Sequence, residues 1–132
     1  MLENSRDHKA PQIICCDPEP DSRRRLTEKL TSFGYPVLAT GNPQIAAGLL
    51  QEGPAGALVI VMDRVKLTMV SVLVEARRSR PELPIVLILN EGGRSQIPPG
   101  LADVVLIDPT DGKLREAVKA FVGVRSSLLT AC

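Results

Sequence analysis

The chain has 132 residues, enough for one domain with a sizeable core and too few for two. Hydrophobic residues make up 44% and aromatic residues only 2%, so the apolar content is aliphatic, which suits a buried parallel sheet covered by helices. A formal net charge of +1 gives no global field to recruit nucleic acid or an anionic membrane, and the apolar runs are far too short to span a bilayer.

Residues Met1 to Ala10 are polar and aperiodic and read as a mobile tail without a signal-peptide core. His8, the only histidine, lies there and reads as solvated. From Pro11 onward strands and helices alternate. Gln12 to Cys16 reads as a short buried strand. Pro20, Asp21 and Ser22 supply helix-start chemistry, Leu26, Leu30 and Phe33 recur at helical spacing, and Gly34 ends that helix. Val37 to Ala39 is a second strand. Asn42, followed by Pro43, caps a short helix whose expected buried face is Ile45, Ala46, Leu49 and Leu50. Gly53, Pro54 and Gly56 break it. Ala57 to Met62 is apolar throughout, as a strand buried on both faces must be. Thr68 to Arg80 reads as a helix closed by Pro81, and Ile85 to Leu89 and Val104 to Ile107 as two more strands. Asp111 is the expected cap of a last helix, with Leu114, Ala117, Val118, Phe121 and Val122 turned inward. One domain over 11–125 and a C-terminal tail over 126–132 complete the reading.

Strands that alternate with helices imply βαβ units, a mostly parallel sheet and helices on both faces, hence a three-layer α/β/α domain. In such sheets the functional crevice lies outside the carboxyl ends of the strands, where strand order reverses. That rule directs attention to Asp17 to Glu19, to Asp63 and Arg64, to Asn90 and to Asp108. The three cysteines, Cys15, Cys16 and Cys132, have neither disulfide nor zinc spacing and read as reduced thiols of a cytoplasmic protein.

The segment Ile13-Ile14-Cys15-Cys16-Asp17-Pro18-Glu19-Pro20-Asp21 resembles the first strand and acidic turn of a bacterial response-regulator receiver domain. Gly34-Tyr35 matches that family's approach to the second strand, and Pro84 its approach to the fourth. The resemblance runs from about Pro11 to Val124. It implies a flavodoxin-like (CheY-like), doubly wound sheet of five parallel strands, with the fourth helix degenerate or lost. The resemblance also locates the family's phosphorylation site. Counting without a gap from Gly34, and back from Pro84, the phosphoacceptor position falls on Val61. The first acid of the turn is matched by Asp17, and Pro18 stands in place of the second, with Glu19 next. The same count puts Leu89 at the phosphate-sensing hydroxyl, Asp108-Pro109 at the lysine-proline pair, and Val105 at the aromatic switch position.

Phosphotransfer to a receiver requires a carboxylate nucleophile, oxygen ligands for magnesium and a cation to neutralise the phosphoryl group. With Val61, Pro18, Leu89 and Asp108 at those positions, the resemblance implies a pseudo-receiver that is not an enzyme and acts by protein–protein contact in a two-component signalling pathway. Two alternatives stand beside it. One is a receiver that accepts phosphate at Asp63. The other is the N-terminal sensor domain of a longer transcription regulator. No cofactor is expected. A magnesium site built from Asp17, Glu19 and Asp63 is the rival reading, since an acid at 108 favours a cation and repels phosphate.

Two surfaces are candidates for the partner contact. Glu91 to Gly100 replaces the family's fourth helix with a stretch too rich in glycine and proline to be helical, and offers Arg94, Gln96 and Ile97. The third helix is unusually apolar, with Val65, Leu67, Met69, Val70, Val72, Leu73 and Val74. Core packing accounts for most of these, and Met69 and Val74 are the candidates for an exposed strip. Arg23-Arg24-Arg25 reads as a solvated face. The partner is expected to be a protein, a second copy of the chain among the candidates. No nucleic acid is expected at this domain, which has no basic patch interleaved with aromatics, and no membrane.

Overall fold

A computed structural model describes residues 11–53, 55–62, 67–89 and 100–123. Five parallel strands form one sheet: β1 (Ile13–Cys16), β2 (Val37–Thr40), β3 (Ala57–Met62), β4 (Ile85–Leu89) and β5 (Val104–Ile107). Their order is β2-β1-β3-β4-β5, so the strand order reverses between β1 and β3. The described helices are α1 (Pro20–Ser32), α2 (Pro43–Glu52), α3 (Leu67–Ser79) and α4 (Asp111–Val118), the last running on into a π turn over Lys119–Gly123.

Alternation along the strands sorts the core into two layers. Ile14, Ile60, Met62, Leu87 and Leu89 pack with Ala46 and Leu50 of α2 and with Met69, Val72 and Leu73 of α3. Ile13, Cys15, Val59, Val61 and Ile88 pack on the opposite face with Leu26 and Leu30 of α1, with Leu114 and Val118 of α4 and with Val122 of the π turn. Helices therefore cover both faces, which is why β1, β3 and β4 are buried at every residue. The edge strands β2 and β5 are only half-buried.

Local signals set the helix ends. The carboxylate of Glu19 accepts from the N–H groups of Asp21 (2.7 Å) and Ser22 (2.9 Å), with Pro20 opening α1. The cap is thus Glu19, one residue before the expected helix-start trio. At the other end Gly34 takes φ +103° and the chain closes a Schellman turn, Gly34 N–H to Thr31 and Tyr35 N–H to Leu30. Asn42 caps α2 as expected, accepting from Gln44 and Ile45. Thr110 caps α4, and Asp111 instead sits in its first turn, where a negative charge also suits the helix dipole. Ile45 is 53% exposed, because the buried arc of α2 runs through Ala46 and Leu50 and passes it by. Met69 is 2% exposed and faces the sheet, so it belongs to the core and not to a partner surface, whereas Val74 is 46% exposed.

At the amino ends of the strands, Arg77 of α3 donates to the carbonyls of Gly100, Pro81 and Leu83 and pairs with Asp103 (3.3 Å). Asp103 in turn accepts from the Ile85 N–H at 2.7 Å. One guanidinium thereby ties α3 to the starts of β4 and β5.

Candidate functional site

The carboxyl ends of β1, β3 and β4 converge where the topology predicts a crevice. Register places Cys16 opposite Ile60 and Val61 opposite Ile88, so the continuation of β1, Asp17, shares a row with Val61 and Ile88. A cleft of about 290 Å³ opens beside this row, between α1 and α4. Leu26, Val61, Ile88 and Leu114 line it as buried aliphatics, and Arg25, Lys29, Asp108 and Asp111 line it as charged groups. Lys29 and Asp111 pair across it at 2.8 Å, holding α1 to the start of α4. Val61 is 4% exposed and offers no nucleophile.

Asp17 is the one buried charged residue among those described, at 1% exposure. Each oxygen of its carboxylate is held by its own turn. One oxygen accepts from the Glu19 N–H at 3.1 Å, and the other accepts a short bond from the Ser22 hydroxyl. Arg23 donates to the Asp17 carbonyl at 3.1 Å and passes so close to Gly41 that any Cβ there would collide with the guanidinium. A side chain at 41 would therefore displace the guanidinium from the Asp17 carbonyl. The acid also acts on its neighbours. Burial first, and the Asp17 charge after it, push the Cys15 thiol up to about 12 and the Cys16 thiol up to about 11, against the opposing charge of Arg23. Both thiols are therefore protonated and unreactive at neutral pH.

The remaining residues of the expected site are dispersed. Pro18 is exposed at the turn. Glu19 is exposed and spends both oxygens on the cap of α1. Leu89 pairs with Met62 and packs with α2 and α3, on the face of the sheet opposite Val61; the β4 residue beside Val61 is Ile88. Val105 is half-buried against the α2–α3 layer. Asp108 is exposed at the rim, with its N–H donating to Leu89 (2.9 Å) and φ at +43°. A left-handed backbone in a residue before proline is strained, and it sits at the mouth of the cleft. Asp63, Arg64, Asn90, Arg94, Gln96 and Ile97 lie outside the described residues, as do both tails and Val65.

The fold's magnesium chemistry can be tested on this donor set. Asp17 has both oxygens occupied, Glu19 is committed to the helix, and Val61 contributes nothing. Among the described residues no group of three acidic, histidine or cysteine side chains is placed to hold a metal ion. The described residues do not fit the ion. Sequence reasoning missed the Ser22 hydroxyl, the Arg23 brace and the Lys29–Asp111 pair. The first two carried a signal, since a hydroxyl and a guanidinium in the first turn of a helix lie near the strand end that precedes it. The third joins positions 82 residues apart and had none.

No known family model matches the sequence, and no curated protein matches it. Solved structures do. A CheY-like receiver domain protein from Methanospirillum hungatei superposes with a TM-score of 0.78 at 14% identity, over 91% of this chain and 99% of that one. The response regulator TrrA from Thermotoga maritima, solved with magnesium and a beryllium fluoride, gives 0.77 at 23% identity, over 84% and 98%. A response regulator receiver protein from Sinorhizobium medicae gives 0.75 at 26% identity, over 88% and 97%. These likenesses establish the architecture along nearly the whole of each neighbour.

Proposed function

The chain has the response-regulator receiver (CheY-like) fold, and from that premise we propose that it is a receiver-type signalling module that works without phosphorylation, through contact with a protein partner. The observation that carries the proposal is the row Asp17, Val61 and Ile88: two aliphatic side chains and one carboxylate already held by Ser22 and Glu19. In-line attack on phosphorus needs a carboxylate at the floor of the crevice, and the only one in this row is already hydrogen-bonded; the cleft's other carboxylates, Asp108 and Asp111, are exposed, and Asp111 is paired with Lys29. The exposed Val74 of α3 supports a contact role. A cytoplasmic setting fits this role; no described helix is long and apolar enough to cross a membrane.

The test is exposure to small phosphodonors with magnesium, followed by intact mass. The expected result is an unchanged mass. A stoichiometric, base-labile phosphate adduct overturns the proposal. If that adduct disappears in Asp63→Ala, the protein is instead a receiver that uses Asp63.

A further inference from the structure

From Gly34 to Gln51 the chain contains no charged residue, although charged residues make up 23% of the whole. This run builds β2 and α2, one edge of the sheet. β2 has one strand neighbour among the described residues, β1. Free edges are ordinarily guarded by charges, lysine above all, and no residue of β2 carries one. It also exposes apolar side chains, Leu38 at 43% and Ile45 at 53%.

The hydrogen bonding of β2 shows which groups are free. The carbonyls of Pro36 and Thr40 accept from the N–H groups of Ile13 and Asp17 on the β1 side. Backbone groups alternate in direction along a strand, so Val37 and Ala39 turn their N–H and C=O groups away from β1. Leu38 lies between them. It is in register with Ile14, and its side chain therefore stands on the face covered by α2 and α3.

We propose that β2 pairs antiparallel with β2 of a second copy of this chain, about a two-fold axis at Leu38, so that two five-stranded sheets become one of ten strands. In that register Val37 faces Ala39 of the copy, and the reverse, and each pair exchanges both of its free hydrogen bonds. Leu38 meets its own copy as a non-hydrogen-bonded pair, with Cα atoms about 4.5 Å apart and side chains on the same face. Two half-exposed leucines are thereby buried against each other, and Ile45, in the first turn of the helix on that face, extends the apolar area. The absence of charge selects this occupant. An uncharged surface meets itself without repulsion, whereas a charged partner gains no complementary group there. Pro36 and Pro43 flank the strand and limit how far pairing extends, and the two-fold consumes the edge, so the assembly closes at a dimer. Four residues per strand make a small interface, so the dimer is concentration-dependent. The inference concerns the edge remote from the Val61 crevice and does not rest on the signalling proposal.

Sedimentation of the full chain over a concentration series tests it. A reversible dimer is expected. Leu38→Lys, which sets two ammonium groups against each other, should raise the dissociation constant at least about tenfold while leaving the circular dichroism unchanged. In a Cys132→Ser background, Leu38→Cys should form an inter-chain disulfide on mild oxidation, because the Cα spacing lies in the disulfide range, and Gln51→Cys at the far end of α2 should not. A chain that stays monomeric throughout the series overturns the proposal. So does a dimer indifferent to Leu38→Lys, or one in which Leu38→Cys fails to cross-link.

Discussion

At the carboxyl end of β1 a carboxylate is buried; in the same row, at the ends of β3 and β4, the side chains are Val61 and Ile88. The two regions are neighbours in one crevice, yet their chemistry diverges because their access to hydrogen-bond donors differs. Asp17 is followed by a turn that folds the Glu19 N–H and the Ser22 hydroxyl back onto its two oxygens. A charge so supplied can stay buried without a metal. The floor around Val61 is aliphatic, with Leu26, Ile88 and Leu114 lining the same cleft, and Lys29 is already paired with Asp111. The buried acid therefore has a structural reason to be there, and the surroundings of Val61 favour an aliphatic side chain.

The largest expected effect breaks the comparison directly. Val61→Asp should lower stability by about 3 kcal/mol at pH 7, measured by denaturant titration, because the new carboxylate is desolvated among Leu26, Ile88 and Leu114 in the row of the Asp17 charge. Burial raises its folded-state pKa above the unfolded value of about 4, so the penalty is full at neutral pH and vanishes as the pH falls below about 4. A variant as stable as the parent at pH 7 would show that the floor does hold donors. The next effect acts on the other region. Asp17→Ala leaves the Ser22 hydroxyl and Glu19 N–H without their acceptor and should cost about 2 kcal/mol. If that variant loses nothing, the turn is not what keeps the acid, and a ligand-binding role for Asp17 regains its case.

Sequence patterning reached the sheet because burial on both faces leaves an unbroken aliphatic signature: Ala57–Met62, Ile85–Leu89 and Val104–Ile107 are the strands that the apolar runs predict. The turn chemistry at Gly34 and Asn42 was equally local and equally legible. Where contacts decide, legibility failed. Ile45 has the spacing of a core residue, but it is 53% exposed on a turn whose buried residue is Ala46. Met69 looked like a surface anomaly, but the third layer has room for it between α2 and the sheet. In the site, the identity of Val61 was readable by counting, whereas its separation from Leu89 was not. Only the strand register shows that the two side chains leave the sheet on opposite faces.

The smallest effect per group sharpens the comparison from the thiol side. Cys15 and Cys16 lie next to Asp17 on β1, and burial is the main reason that their pKa values rise from 9.0 to about 12 and about 11. In the folded state both thiols keep their protons through a range in which the unfolded chain loses them. Their contribution to stability is therefore complete below pH 9, shrinks as the pH rises above it, and levels off only above the folded-state values. At about pH 10 each thiol should remove about 1.4 kcal/mol relative to pH 7. Denaturation midpoints at pH 7, 9 and 10 read this out, and replacing both cysteines with alanine should flatten the alkaline slope. The Asp17 carboxylate is a second cause of both shifts, so Asp17→Asn should lower the thiol pKa values and hasten thiol labelling of the folded protein. A parent with no alkaline slope would mean that β1 opens to water at its carboxyl end. The buried acid would then be held by solvent and not by Ser22 and Glu19, and the contrast with the floor at Val61 would be lost.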